Sequence, residues 1–156
     1  MKKKIKTIVA VASYNFLKSL KVKELGDDTC LAIWKNIKSF RSISETYEKD
    51  VKDVDESLKG DDFEVWEERR QKAAELEAKV NAGTATYTPA DVKEQNEVIS
   101  YLKGIADKKN ARVKELEKVE VELEVFPIKE AEMIKAIKFN DQNIGLMDEL
   151  SFLIEE

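Results

Sequence analysis

Apolar residues recur at alternating steps of three and four along two long segments of the chain, a spacing typical of helices that pack side by side. The first segment is predicted to be helical from about 28 to 59, and Gly60 ends it. The second begins at Pro89, behind a capping Thr88 and with Asp91 in its first turn. The first seam consists of Ile33, Ile37, Phe40, Ser44, Tyr47, Val51, Val54 and Leu58. The second consists of Val92, Ile99, Leu102, Ala106, Val113 and Leu116.

The period changes to two near both ends of the chain, which predicts β-strands. In residues 2–8, Ile5 and Thr7 alternate with lysines, and from Val119 to Val125 apolar residues alternate with glutamates. We expect the two strands to form a ribbon with lysines opposite glutamates. Pro127 ends the second strand, and two short helices are predicted after it, around Met133 to Ile137 and Ile144 to Ile154, to cover the ribbon.

A third helix is predicted between the two long segments. Asp61 or Asp62 can cap it, and it stops between Asn81 and Gly83. The predicted fold class is therefore mostly α (α+β): a long antiparallel helical hairpin, an additional helix at its tip, and a base made of a small two-stranded ribbon with short helices. We expect a single domain over 1–156, with 1–26 and 119–156 as the base and 27–118 as the hairpin.

The two tryptophans receive different predictions. Trp34 and Leu31 widen the apolar stripe of the first long helix, so Trp34 is expected in the core. Trp66 lies among charged residues on a helix with a thin apolar stripe, and both a core and an interface position stay open. The candidate interaction residues are Phe63, Trp66, Tyr47, Val51, Val54 and Leu58.

Composition and charge narrow the classes of partner. Apolar residues make up 42% of the chain and charged residues 38%, which suits long solvated helices. The formal net charge of −5 opposes binding to phosphate backbones and anionic membranes, so neither nucleic acid nor a membrane is expected as a partner. The apolar run from Ile8 to Ala12 is too short for a secretory signal. A single Cys30, expected to be buried, fits a reducing cytoplasm.

Candidate chemistry is scarce. The chain has no histidine, which removes the commonest general base and most zinc sites. It also has no glycine-rich phosphate-binding motif. We therefore predict a protein that is not an enzyme and that has no catalytic residues, cofactor or metal.

The layout of the whole chain resembles a group of small uncharacterised proteins encoded by bacteriophages and prophages. The matching features are Lys2 to Thr7, the helical turn from Tyr14 to Leu20, the segment Leu31 to Phe40 with Trp34, Lys35 and Asn36, and the strand Val119 to Ile128 before an acidic C-terminus. The resemblance implies a phage setting and no established activity.

Two hypotheses for function follow. The first is a helical protein-interaction protein, a phage structural or assembly component that forms homo-oligomers. In this hypothesis the seams at Ser44 to Leu58 and Val92 to Leu116 contact other copies or a larger phage component, because the same spacing serves packing within one chain and packing between chains. The alternative is a phage-encoded inhibitor or adaptor that binds a host protein in counter-defence. The expected location is the host cytoplasm or the virion.

Overall fold

The computed structural model describes residues 1–155, which form a mostly helical α+β protein with six α-helices and two small two-stranded sheets among the described residues. This confirms the predicted fold class. The elements are β1 (Lys2–Lys6), α1 (Thr7–Ser19), α2 (Asp27–Ser57), α3 (Phe63–Asn81), α4 (Pro89–Lys118), β2 (Glu120–Glu124), β3 (Ile128–Lys129), α5 (Glu130–Phe139), α6 (Leu146–Glu149), a 3-10 turn (Ser151–Leu153) and β4 (Ile154–Glu155).

The chain divides into two compact units, described separately below. Unit 1 combines Met1–Asp50 with the chain from Glu115 onward, and unit 2 is Val51–Lys114. The boundaries cut through both long helices, so each unit contains a part of α2 and a part of α4. Single-domain behaviour stays a prediction.

The predicted ribbon of unit 1 is confirmed. Strands β1 and β2 pair antiparallel, with Ile5 opposite Val121 and with three lysines opposite three glutamates. Only one of these cations forms an ion pair within residues 1–155: the Lys2 Nζ lies 3.0 Å from a carboxylate oxygen of Glu122, and this contact raises the pKa of Lys2. The lysine–glutamate pattern therefore predicted correctly which two segments pair.

The core of unit 1 lies where α1, the first half of α2, β2 and the C-terminal elements meet. Near its centre Phe40 packs with Phe152 at a ring-centroid distance of 6.2 Å. Its buried members are Ala10, Tyr14, Leu17, Ile33, Phe40, Leu123, Val125, Ile128, Met133, Ile137, Leu150 and Leu153.

Two polar side chains of α2 form hydrogen bonds with the backbone at the end of β2 and just after it. The amide of the fully buried Asn36 donates to the Phe126 carbonyl at 2.7 Å and accepts from the Phe126 N–H at 2.9 Å. The Ser39 hydroxyl donates to the Glu124 carbonyl at 2.7 Å. Asn36 thus supplies the donor and acceptor that a neighbouring strand would supply.

Helices α3 and α4 have different arrangements at their N-terminal ends. The predicted capping box of α4 is confirmed: the Thr88 N–H donates to the Asp91 carboxylate at 2.9 Å, and the Asp91 N–H donates to the Thr88 hydroxyl at 3.2 Å. This bonding lowers the pKa of Asp91. Asp62 occupies the cap position of α3, but its carboxylate accepts from the Trp66 indole at 2.9 Å instead of a backbone N–H.

The two long helices contact each other within each unit. In unit 1 the Tyr47 hydroxyl donates to the Glu117 carboxylate at 3.3 Å. Burial of Tyr47 and the charge of Glu117 raise the pKa of that phenol. In unit 2 the Lys109 Nζ lies 2.8 Å from the Asp55 carboxylate, and Arg112 donates to the Ser57 hydroxyl at 2.7 Å. All eight predicted seam positions of α2 are buried or half-buried.

As a seam inside the chain, the stripe predicted for α4 is wrong along most of its length. Val92, Ile99, Leu102 and Ala106 are exposed, and only Val113 and Leu116 are half-buried. The positions that α4 buries or half-buries in unit 2 lie further around the helix, at Asp91, Glu94, Gln95, Val98, Tyr101, Ile105, Lys109 and Val113. The face of α4 that packs is therefore selected by stacking and charge pairs with α3, described below, and the apolar stripe stays in solvent.

Three further predictions are corrected on α1 and α2. Trp34 is 55% exposed and Leu31 48% exposed, because Asn36 and Ser44 fill the buried face of α2 while these two residues lie on the opposite side. Cys30, expected to be buried, is only half-buried. The apolar spacing of Ala12, Phe16, Leu17 and Leu20 predicts a first helix that Leu25 and Gly26 close. Helix α1 instead ends at Ser19, because Leu20 takes an extended conformation.

The C-terminus also departs from prediction. The helix expected from Ile144 to Ile154 is instead the four-residue α6, a 3-10 turn and strand β4, which pairs parallel with β3. Helix α5 ends at Phe139, and Asp141 beyond it has a positive φ of 52°. The predicted helix does not extend to Ile154 because Ile154 pairs with Ile128 of β3. The apolar residues still enter the core, through Leu150 and Leu153.

Candidate functional site

The candidate site is a groove in unit 2 centred on a stacked pair of aromatic rings. Trp66 of α3 and Tyr101 of α4 lie parallel, with ring centroids 4.3 Å apart and an angle of 2° between the planes. The guanidinium carbon of Arg69 lies 4.1 Å from the centroid of the Trp66 ring. Trp66 is therefore held by a ring, a cation and the Asp62 hydrogen bond.

Arg69 connects this aromatic pair to α4. Its Nε and Nη2 donate to the two carboxylate oxygens of Glu94 at 2.7 and 2.8 Å, and Nη2 also donates to Glu97 at 2.6 Å. These hydrogen bonds raise the pKa of Arg69 and lower that of Glu94. A bidentate guanidinium–carboxylate pair fixes orientation as well as distance. The partners match between α3 and α4 only when the two helices run antiparallel.

The groove below the stacked pair has a volume of about 380 Å³. Its apolar walls come from three segments, the end of α2, the start of α3 and the middle of α4. Charged side chains surround them, and the Lys59 Nζ lies 5.2 Å from the centroid of the Phe63 ring. The lining residues are Asp55, Glu56, Leu58, Lys59, Phe63, Trp66, Glu67, Tyr101, Leu102 and Ile105. We call this set the unit 2 groove.

The charges around the groove neutralise one another. Asp55 pairs with Lys109 at 2.8 Å, Glu56 with Lys59 at 2.9 Å, and Glu67 with Arg70, which lowers the pKa of Glu67. The carboxylates are therefore engaged by cations in ordinary surface pairs. Such pairs contribute little to stability.

The structure brings three of the six candidate interaction residues together. Leu58, Phe63 and Trp66 line the unit 2 groove. Tyr47 instead lines a separate cavity of about 250 Å³ in unit 1, beside Ile43 and Leu116. Val51 and Val54 are half-buried in α2 and line neither space. Whether any of the six binds a partner stays a prediction.

Several exposed apolar residues of unit 2 lie on α4, within the segment that the sequence predicts as a seam either inside the chain or between copies. Val92, Ile99, Leu102 and Ala106 form one stripe on α4, and we call these four residues the outer α4 face. Ile99 is 61% exposed, Val92 47% and Leu102 41%. Their periodicity was evident, but α4 alone gives no information about which of its faces α3 covers. The same spacing serves packing within one chain and packing between copies, so the sequence left both roles of this stripe open.

No helix within residues 1–155 is long and apolar enough to cross a membrane. Within the same residues no three acidic or cysteine side chains lie close enough together to hold a metal ion.

Comparison of the chain with protein-family models, with curated proteins and with solved structures finds no match. The resemblance to phage proteins therefore remains an expectation from the sequence layout.

Proposed function

We propose that this protein is a non-enzymatic protein-interaction protein that self-associates through the outer α4 face. The observation that carries the proposal is the contrast between burial and exposure in unit 2. Among its described residues, Val51–Lys114, only Val98 is buried, whereas the outer α4 face remains in solvent. A helix normally stabilises itself by covering such a stripe.

The spacing of the outer α4 face favours a second helix of the same kind as its cover. Val92, Ile99 and Ala106 are seven residues apart, and Leu102 adds the intermediate step of three and four. This is the repeat with which two helices interlock side chains along a coiled-coil seam. A second copy of the chain supplies an identical stripe, as isologous association requires.

Self-association of a small helical protein suits a structural or assembly role. The phage setting of that role derives from the sequence resemblance alone. In this proposal the protein acts by presenting surfaces, and the absence of histidine from the chain agrees with a non-enzymatic role.

Multi-angle light scattering across micromolar concentrations tests the proposal. The wild-type protein should form dimers or larger assemblies, and Ile99→Glu combined with Ala106→Glu should be monomeric because two buried charges would face each other without partners. Val22→Glu combined with Ile144→Glu is the matched control, since it adds the same charge at two exposed apolar positions of unit 1. A wild-type protein that stays monomeric at every concentration would refute self-association.

The unit 2 groove supports a second candidate function, an inhibitor or adaptor that binds a host protein. Its apolar walls include Phe63, Trp66 and Tyr101, and aromatic residues of this kind are enriched at binding hot spots. This candidate predicts a monomer that forms one stable complex with a host protein, and Leu58→Asp should abolish that complex. A complex that survives Leu58→Asp would exclude the groove as its binding surface.

A further inference from the structure

The outward face of α2 in unit 1 combines exposed apolar side chains with cations. Trp34 and Leu31 are about half exposed, and the Lys38 Nζ lies 5.2 Å from the centroid of the Trp34 ring. Lys35 and Arg41 flank them, one turn before and one turn after Lys38. We call Leu31, Trp34, Lys35, Lys38 and Arg41 the basic–aromatic face.

The positive charge of this face is not compensated within the described structure. The α2 segment 29–44 contains three cations and no acidic residue. None of Lys35, Lys38 and Arg41 forms an ion pair with any residue in 1–155. Lys35 does contact an aromatic ring, since its Nζ lies 5.3 Å from the centroid of the Phe126 ring. A partner that brings negative charge would displace no ion pair, and its approach would be favoured by the local potential.

The face is short and has acidic boundaries. From Leu31 to Arg41 it extends about 15 Å along the helix, at about 1.5 Å per residue. Asp27 and Asp28 precede it, and Glu45 and Glu48 follow it. A long polyanion or a planar anionic surface would extend over these acids and would meet a protein of net charge −5. A short acidic segment would fit between these acids without extending over them.

We propose that the basic–aromatic face docks a short acidic peptide segment of another protein, with at least one bulky apolar side chain. The carboxylates of the segment would pair with Lys35, Lys38 and Arg41. Its apolar side chain would cover Leu31 and Trp34, whose exposure in the free protein leaves that surface available. The site belongs to unit 1 and is independent of the outer α4 face in unit 2.

Selection from a displayed library of random short peptides tests this proposal. The full-length protein is the target, and the charge-reversed variant Lys35→Glu, Lys38→Glu, Arg41→Glu is used for counter-selection. We expect enrichment of peptides that carry several acidic residues and an aromatic or large aliphatic residue. Synthetic versions should bind the wild type and lose about tenfold or more in affinity for the charge-reversed variant.

Two further variants locate the binding. Trp34→Ser should weaken the same peptides, since it removes the apolar contact while leaving the charges. Lys93→Glu, Lys103→Glu, Lys108→Glu makes the same change in net charge on α4 and should leave binding intact. Circular dichroism and urea denaturation establish that each variant is folded. Absence of enrichment, or peptides that bind the charge-reversed variant equally well, would overturn the proposal.

Other occupants give distinct results. Fluorescence of Trp34 in a Trp66→Phe background is followed during titration with a short oligothymidylate and with phosphatidylserine-containing vesicles. Saturable binding of either, without binding of acidic peptides, would assign the face to nucleic acid or membrane and overturn the proposal. If light scattering shows that only the charge-reversed variant becomes monomeric, the basic–aromatic face binds a second copy of the chain. That result would also overturn the proposal.

Discussion

At the scale of single residues, the most informative side chain is Asn36. It lies on the apolar stripe of α2, three residues after Ile33 and four before Phe40, and it is fully buried. A buried amide is stable only when its donor and acceptor are both engaged, and the Phe126 backbone engages both. A polar residue in the middle of a predicted seam was the available signal, but its partner is 90 residues away.

Replacing Asn36 should destabilise unit 1. Asn36→Ala leaves the Phe126 N–H and carbonyl without partners, so we expect the free energy of unfolding to fall by about 2 to 4 kcal/mol. Urea denaturation followed by circular dichroism measures the change. Asn15→Ala, at an exposed position of α1, matches the gain in helix propensity and should shift stability by no more than about 0.5 kcal/mol. Equal effects of the two substitutions would contradict the assigned role of Asn36.

Ser44 leads to a prediction of the opposite sign. It is 1% exposed, and its hydroxyl has no hydrogen-bond partner among the described residues. Ser44→Ala removes an unsatisfied polar atom and should stabilise the protein by about 1 kcal/mol. The exposed Ser42→Ala, on the same helix, measures the contribution of helix propensity alone. A Ser44→Ala variant less stable than Ser42→Ala would show that the Ser44 hydroxyl is satisfied after all.

Glu132 should make the free energy of unfolding depend on pH in the acidic range. Its carboxylate accepts a hydrogen bond from the Gly26 N–H at 3.1 Å, just before α2 begins, and this bond, helped by Lys135, lowers the pKa of Glu132. A lowered pKa in the folded state stabilises the protein above the unfolded-state pKa, and the contribution is lost as the pH falls through the folded-state value.

The stability advantage of the wild type over Glu132→Gln should therefore be constant at neutral pH and shrink below about pH 5. Unfolding midpoints in urea at a series of pH values give this difference. Glu130→Gln, an exposed acid in the same turn of α5, controls for the loss of one negative charge. If the stability advantage of the wild type over Glu132→Gln grows as the pH falls, the predicted pH dependence is wrong.

At the scale of elements, most helices and both strands of the ribbon could be predicted because each is encoded in local pattern. The capping box at Thr88 and the lysine–glutamate alternation are signals of this kind. The orientation of α4 about its own axis could not be predicted. It depends on the partners that α3 presents, chiefly Trp66 and Arg69, and these contacts join residues 25 to 35 positions apart.

The C-terminal elements show the same limit. The apolar positions from Ile144 to Ile154 predict one helix, but in the structure Ile154 pairs with Ile128 in a short parallel sheet. Pairing between distant segments overrides the local pattern, because strand formation depends on the neighbour that completes the hydrogen bonds.

The stacked pair of Trp66 and Tyr101 should couple α3 to α4. In a double-mutant cycle with Trp66→Ala and Tyr101→Ala, we expect a coupling energy of about 0.5 to 1.5 kcal/mol beyond the sum of the separate effects. Urea denaturation of the four proteins gives the value. Trp66→Ala with Tyr87→Ala is the matched control, since Tyr87 is not stacked on Trp66. If the effects of Trp66→Ala and Tyr101→Ala are additive, the stacked pair does not couple α3 to α4 and the prediction is wrong.

At the scale of the whole molecule, the two units differ in how they are stabilised. Unit 1 has a core of twelve buried apolar residues, whereas Val98 is the one buried residue among those described in unit 2. Helices with so little buried area depend on partners for stability. The proposed association of unit 2 would supply that burial, and it would make the stability of α4 depend on protein concentration.

Hydrogen–deuterium exchange of the wild-type protein at a low and a high concentration tests this dependence most directly. If a second copy covers the outer α4 face, the amides from Val92 to Ala106 exchange more slowly at the high concentration, while those of α1 in unit 1 exchange at the same rate at both. Equal exchange of the α4 amides at the two concentrations, with the protein monomeric in each sample, would contradict the account.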